Sequence, residues 1–184
     1  MDPADMGFQR PITTHRVKRA FGFIDLSGFT HYTVTNGDDR AVEQLSEFRR
    51  IVRAAGSATG VRVAKWLGDG AMLVSVDTAS LVMAIHRIMR AVRDSDIELP
   101  LHAGVSDGNV ILFEGDDHIG SAVNLAARLA DIAQPGQILA RSDLFPGVNR
   151  TKAVVGPVEI AGFDGPIEVA DLALVPTLVE ALNL

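Results

Sequence analysis

The 184 residues of this chain include no cysteine. A chain without thiols has no disulfide framework, no thiolate metal site and no thiol nucleophile, and it fits a reducing compartment such as the cytosol. Basic side chains are also few, because 23 Asp and Glu residues against 17 Lys and Arg residues give a formal net charge of −6. Nucleic acid and anionic membrane surfaces are therefore not expected partners.

Long apolar runs are missing as well. No stretch reaches the roughly 18 consecutive apolar residues that a membrane-spanning helix needs. Residues 1–16 are polar and proline-containing, so they are expected to form a flexible tail and not a signal peptide or an anchor. An apolar content of 47% suffices for one packed domain. We predict a cytoplasmic protein with a single domain over 17–175 and a short tail over 176–184.

Hydrophobic periodicity predicts an α+β fold. The order is a strand, two helices, a strand hairpin, a helix and further strands, which is typical of a ferredoxin-like βααββαβ sheet with helices packed on one face. Helix starts are marked by Asp38 and Asp39 and by Asp77 or Thr78. The main predicted strands are 17–26, 61–67, 71–76, 101–105 and 110–114, and the third long helix is 119–133.

Two carboxylates fall at predicted turns. Asp25 ends an apolar strand, and Asp69 lies at the tip of the hairpin turn Gly68-Asp-Gly70. An unpaired charge at a buried strand end is costly, so a positive group is expected there. Two such carboxylates suit Mg²⁺ or Mn²⁺, which prefer oxygen ligands. The alternative is that Asp25 caps its turn and Asp69 merely serves the hairpin, because Asp is common in turns.

The residues after Asp25 open a helix. Ser27-Gly-Phe-Thr30 is expected to present backbone N–H groups at a helix N-terminus, which favours an anion such as a triphosphate. On the third long helix, a narrow polar strip contains Asn124 and Arg128, four residues apart on one face. Arg128 is either a salt-bridge partner or a group that meets developing phosphate charge.

Three spaced motifs carry a resemblance to a known family. FIDLSGFT at 23–30, KWLGDG at 65–70 and DHIGSAVNLAARL at 117–129 resemble the motifs of class III nucleotide cyclase catalytic domains of the stand-alone bacterial type. The resemblance covers about residues 17–174. It implies an adenylate cyclase that converts ATP to 3′,5′-cyclic AMP and pyrophosphate, by two-metal-assisted attack of the ribose 3′-hydroxyl on the α-phosphate.

The resemblance also implies roles for single residues. Metal binding is implied for Asp25, Asp69 and the Leu26 carbonyl, and triphosphate binding for Gly28, Phe29, Thr30 and the position of His102. Lys65 and Asp117 match the pair that recognises adenine, Asn124 the residue that orients the ribose, and Arg128 the residue that stabilises the transition state. The implied cofactors are two divalent cations, Mg²⁺ or Mn²⁺. The implied assembly is a homodimer with two shared sites.

Two positions differ from what many family members contain. His102 stands where an arginine that contacts the triphosphate is common, and Ala161 stands where a phosphate-binding lysine is often found. Arg150 or Lys152 is a candidate substitute, or both are solvated surface charges. The alternatives are a weak or silent ATP-binding regulatory domain, a guanylate cyclase, which Lys65 with Asp117 disfavours, and a purely structural dimerisation domain.

Overall fold

The computed structural model describes residues 16–113, 117–144 and 153–175. The described elements, in chain order, are β1 (Arg16–Leu26), α1 (Phe29–Asn36), α2 (Asp38–Thr59), β2 (Arg62–Leu67), β3 (Gly70–Ser75), α3 (Thr78–Arg93), β4 (Leu101–Phe113), β5 (Asp117–Ile119), α4 (Ser121–Ile132), β6 (Ile138–Arg141), β7 (Val154–Val158) and β8 (Ile167–Asp171). The predicted α+β class and the βααββαβ order are confirmed. Of the predicted tails 1–16 and 176–184, only Arg16 is described, and it is the first residue of β1. Arg150 and Lys152 also lie outside the described residues.

One sheet organises the fold, with β1 near its centre. In the described residues the strand order is β2-β3-β1-β4-β6-β8-β7, and β5 pairs with β4. β1 runs antiparallel to both β3 and β4. Its side chains alternate between the two faces, as a strand with a period of two requires. Ala20, Ile24 and Leu26 pack in the main core under α2 and α3, whereas Phe21 packs in a second cluster.

Helix α4 covers the face that Phe21 occupies. Ala122 and Ala126 of α4 pack there against Met72 and Val74 of β3. The structure therefore differs from the expectation of helices on one face, since α2 and α3 lie on one side and α4 on the other. Close approach of α4 depends on Gly104 of β4, where an added Cβ would lie 2.2 Å from two backbone atoms of the helix.

The two strands predicted at 101–105 and 110–114 are one strand, β4. The prediction of a turn at 106–109 was wrong because β1 pairs with β4 without interruption, from Leu26 opposite Leu101 to Arg16 opposite Ile111. Asp107, which looks like a turn residue, is instead held by Lys18 of β1 at 3.0 Å. An uninterrupted ladder satisfies the backbone groups that a turn would have left exposed.

The helices begin and end close to the predicted residues. The Asp77 side chain caps α3 by accepting a 2.7 Å hydrogen bond from the Ser80 N–H. Helix α2 ends at Gly60, which has the left-handed φ of +71° that suits a helix C-cap. The apolar stripes of both helices are buried as predicted, except that Val42 of α2 is 60% exposed.

Candidate active site

Asp25 lies near the end of β1, between two neighbouring strands. Its partners across the ladders are Gly70 of β3 and His102 of β4. A Cβ added to Gly70 would lie 2.6 Å from Asp25 Oδ1 and 2.7 Å from the Ile24 carbonyl oxygen. Glycine at 70 therefore makes the room that the carboxylate occupies. The β2–β3 turn carries Asp69 directly beside this position.

The Asp25 carboxylate is in an environment that disfavours its charge. Its pKa is raised from 3.8 to about 6, first by burial and then by the negative charge of Asp69, with a smaller effect from Asp131. A hydrogen bond from the Leu26 backbone partly offsets these effects. Two neighbouring carboxylates whose charges oppose one another fit a divalent cation, which would relieve that repulsion.

The backbone turns sharply after Leu26 and enters α1. Gly28 at the N-cap has a φ of +82°, and neither a side-chain cap nor an acidic residue occupies the first turn of α1. The Ser27 N–H donates to the Pro100 carbonyl oxygen at 2.8 Å, which anchors the turn. The first N–H groups of a helix have no acceptor within the helix, so those of Phe29 and Thr30 are available to an anion.

His102 faces both Asp25 and the turn. Its Nδ1 lies 2.8 Å from the Ser27 Oγ, and its Nε2 lies 3.9 Å from Asp25 Oδ2. Burial lowers the pKa of the imidazole, although the charges of Asp69 and Asp131 act in the opposite direction. Burial therefore favours the neutral ring, which does not carry the permanent positive charge that an arginine would bring.

Lys65 of β2 and Asp117 of β5 form an ion pair with an Nζ–Oδ1 distance of 2.6 Å. The hydrogen bond from Lys65, followed by its positive charge, lowers the pKa of Asp117. Both side chains are about half exposed. They line a pocket of about 160 Å³ together with Met72, Ile119 and other residues of β2, β5 and α4. A donor and an acceptor therefore stand side by side in a small cleft.

Asn124 and Arg128 lie on the exposed strip of α4. The strip is polar as predicted, since Ser121, Asn124, Arg128 and Asp131 are all exposed. Arg128 Nη1 is 3.2 Å from Asp131 Oδ2, three residues along the same helix. The salt-bridge alternative for Arg128 is thus present within the chain. An exposed pair of this kind contributes little to stability, so Arg128 remains available to a ligand.

Comparisons with known proteins find relatives of this chain, although no protein-family model matches it. An uncharacterized protein of Mycobacterium tuberculosis is 36% identical over 161 residues, which are 87% of this chain and 42% of that protein. An adenylate cyclase of Streptomyces coelicolor is 31% identical over 134 residues, 72% of this chain and 35% of that protein. The chain thus spans less than half the length of these relatives.

Solved structures show the same fold. An adenylyl cyclase from P. aeruginosa superposes with a TM-score of 0.76 at 19% identity, over 86% of this chain and 94% of that one. A guanylate cyclase domain from Catenaria anguillulae, in complex with GTP, superposes with a TM-score of 0.73 at 16% identity, over 85% of this chain and 97% of that one. The chain is a class III nucleotide cyclase domain. Adenylate and guanylate cyclases share this fold, so base specificity depends on individual residues and not on the fold.

Several residues that shape this cyclase site were not singled out from the sequence. Gly70 was treated as a turn residue, whereas it makes room for the Asp25 carboxylate. Arg49 of α2 donates a 3.2 Å hydrogen bond to the Gly68 carbonyl oxygen, next to Asp69. Trp66 is partly buried and packs against the main core. Only the spacing of glycines around Asp69 offered a signal for Gly70, and nothing in the sequence pairs Arg49 with residue 68.

The donor set of the cyclase domain fits divalent cations in part. Within 16–113, 117–144 and 153–175, no group of three or more His, Asp or Glu side chains is placed to hold a metal ion. Asp25 and Asp69 supply two carboxylates, and the remaining places suit backbone and phosphate oxygens, as in sites that bind a metal together with a nucleotide. In the same residues, no helix has the length and apolar character needed to cross a bilayer.

Proposed function

We propose that this cyclase domain converts ATP to 3′,5′-cyclic AMP and pyrophosphate, at two equivalent sites shared across a homodimer. The observation that carries the proposal is the proximity of Asp25 and Asp69, where burial and the charge of Asp69 disfavour the ionised Asp25 carboxylate. The uncapped N-terminus of α1 begins directly after the same strand. A cation pair and an anion-binding turn in one place suit a metal-bound triphosphate.

Class III cyclases use divalent metals, and Asp25, Asp69 and the Leu26 carbonyl are the groups that would hold two Mg²⁺ or Mn²⁺ ions here. When bound, such ions supply a more acidic 3′-hydroxyl and neutralise charge on the leaving pyrophosphate. The chain itself binds and orients the substrate. The backbone N–H groups of Gly28, Phe29 and Thr30 would donate hydrogen bonds to phosphate oxygens.

The base is proposed to lie between Lys65 and Asp117. Adenine presents the acceptor N1 beside the N6 amine, so a Lys donor and an Asp acceptor complement its edge. Guanine presents a donor and an acceptor in the reverse order. The 2.6 Å ion pair supports this proposal because it shows that the two groups reach the same point in space.

The base-reading pair Lys65 and Asp117, together with the remaining groups, is proposed to come from a second copy of the chain, different from the one that supplies Asp25 and Asp69. Asn124 would orient the ribose, and Arg128 would meet the charge that grows on the α-phosphoryl oxygens, an interaction stronger in the transition state than in the ground state. Both side chains are exposed on α4, and Arg128 forms an ion pair with Asp131 of its own helix. A two-fold dimer places each strip against the partner's carboxylates and gives two identical sites.

The second candidate function is that of an ATP-binding regulatory domain with little turnover, and the presence of histidine at position 102 favours it. A neutral imidazole at this position lacks the charge with which an arginine would hold the triphosphate. Ala161, which is exposed in the turn between β7 and β8, likewise offers no cation.

One experiment separates these functions. Purified protein is incubated with ATP or GTP and with Mg²⁺ or Mn²⁺, and both cyclic products are measured by mass spectrometry. We expect cyclic AMP to exceed cyclic GMP and EDTA to abolish both. Cyclic GMP as the main product would make the domain a guanylate cyclase. Absence of both products, with an ATP analogue still bound, would establish the regulatory alternative.

A further inference from the structure

We propose that Arg49 is a positioning residue that fixes the β2–β3 turn and, through it, the metal-binding carboxylate of Asp69. The proposal deepens the proposed function and rests on it. Arg49 belongs to α2, the helix that directly precedes β2 in the chain and packs against the main core of the sheet. It therefore ties the turn to the rigid body of the domain.

The first step is the hydrogen bond from Arg49 Nη2 to the Gly68 carbonyl oxygen, at 3.2 Å. That oxygen belongs to the peptide plane that joins Gly68 to Asp69, and a peptide bond is planar. Holding the oxygen therefore sets the orientation of the Asp69 N–H and Cα. Gly68 has a φ of +67°, a conformation with few steric restraints in glycine, so the turn has little intrinsic stiffness.

The second step is the packing of the same guanidinium on Trp66. The Arg49 Cζ lies 5.1 Å from the centroid of the indole ring, and the Arg53 Cζ lies 5.2 Å from it. Both distances are typical of cation–π contacts. Trp66 is the second residue before Gly68 in the hairpin, so Arg49 contacts the hairpin at two points. Arg53 shares the stacking, whereas the hydrogen bond to Gly68 belongs to Arg49.

The third step concerns solvation. The Arg49 Nε is buried and has no hydrogen-bond partner among the described residues. Burying this N–H without an acceptor carries a desolvation cost, although the bond from Nη2 to Gly68 itself lies at the exposed surface. This cost is consistent with a positional role, since a surface arginine whose only task was solubility would keep its water.

Arg49→Ala and Arg53→Ala form a matched pair for the test. Each removes one guanidinium from Trp66, but only the first removes the hydrogen bond to Gly68. Binding of Mn²⁺ is measured by electron paramagnetic resonance in the presence of a non-cyclisable ATP analogue. We expect Arg49→Ala to weaken Mn²⁺ binding by roughly tenfold, as expected for a lost hydrogen bond from a charged group. Arg53→Ala should change it less than about twofold.

A second measurement is independent of ligand and turnover. Amide hydrogen exchange at Asp69 and Gly70 in the metal-free protein should be faster in Arg49→Ala than in Arg53→Ala, at equal global stability. Unchanged exchange at these amides, or equal loss of Mn²⁺ affinity in both variants, would overturn the role of Arg49. A wild-type protein that forms no cyclic nucleotide would count against the proposed function, while the exchange result would still decide the positioning role.

Discussion

The carboxylate of Asp25 occupies the space that a side chain at position 70 would need. An added Cβ on Gly70 would lie 2.6 Å from Asp25 Oδ1, closer than real Cβ contacts allow. Strand β3 is therefore complementary to the acidic group on β1, and the presence of Asp25 at this point depends on the absence of a side chain on its neighbour.

Gly70→Ala should displace Asp25 and leave the fold in place. The added methyl group would also clash with the Ile24 backbone oxygen, so the strand must shift. We expect kcat/KM to fall by about 100-fold, as for a misplacement of catalytic groups near 1 Å. Mn²⁺ titration and steady-state kinetics measure this. Gly60→Ala is the control, since its φ of +71° makes alanine cost about 1 kcal/mol of stability with no effect on Mn²⁺ affinity. Normal kinetics in Gly70→Ala would refute the argument.

Asp25→Asn should stabilise the metal-free protein at neutral pH. The folded-state pKa of about 6 lies above the ordinary value of 3.8, so the folded protein binds this proton more tightly than the unfolded chain does. The wild type therefore loses stability as the pH rises from about 4 to 6, whereas the asparagine variant does not.

The expected gain is about 1 kcal/mol above pH 7, with none below pH 4; the side chain is 42% exposed, and solvent reduces the effect of the shift. Urea unfolding in EDTA at both pH values measures it. Asp164→Asn, in an exposed turn, controls for the loss of one negative charge. Equal gains at both pH values would contradict the prediction.

Lys65→Glu should change the preference for the base. The variant loses the donor to adenine N1 and places an acceptor there, so kcat/KM for ATP should fall by roughly 10- to 100-fold while the GTP to ATP ratio rises. Initial rates with both nucleotides measure the change. Arg87→Glu makes the same charge change on the exposed side of α3 and should leave the ratio unaltered. An unaltered GTP to ATP ratio in Lys65→Glu would show that the base does not bind in this cleft.

Mixed variants should reveal the shared site. Arg128→Ala should lower kcat by about 10²- to 10³-fold, the cost of one transition-state donor. Mixing it with Asp25→Ala should restore activity, because one site of the heterodimer has both halves intact. Mixing Asp25→Ala with Asp69→Ala should restore none, since both changes affect the same half. Lack of recovery in the first mixture, with subunit exchange shown by mass spectrometry, would argue against shared sites.

Local patterns predicted much of the fold. Apolar stripes placed α2 and α3, the glycines around Asp69 placed the hairpin, and the polar strip of α4 was visible from helical spacing. These features depend on neighbours within a few residues. They could be read without knowing the tertiary structure.

Features that depend on distant partners were not predicted. The continuity of β4 follows from its pairing with β1. This pairing keeps 106–109 in the strand, although their residue types favour a turn. The side of the sheet that α4 covers depends on Gly104 beneath it. The contacts of His102 with Ser27 and Arg49 with Gly68 join residues far apart in sequence. Propensity describes a segment alone, whereas register and packing describe pairs of segments.

The ion pair of Lys65 and Asp117 has a consequence for selectivity. Each group already satisfies the other, so a purine that binds between them as proposed would exchange one set of polar contacts for another. An exposed ion pair of this kind is weak, so a matching base would gain little net affinity from the exchange. A mismatched base would separate Lys65 from Asp117 without offering either group a hydrogen bond in return. Under the proposed function, the cleft would therefore discriminate against the wrong purine, while tight binding would come from contacts with the phosphates.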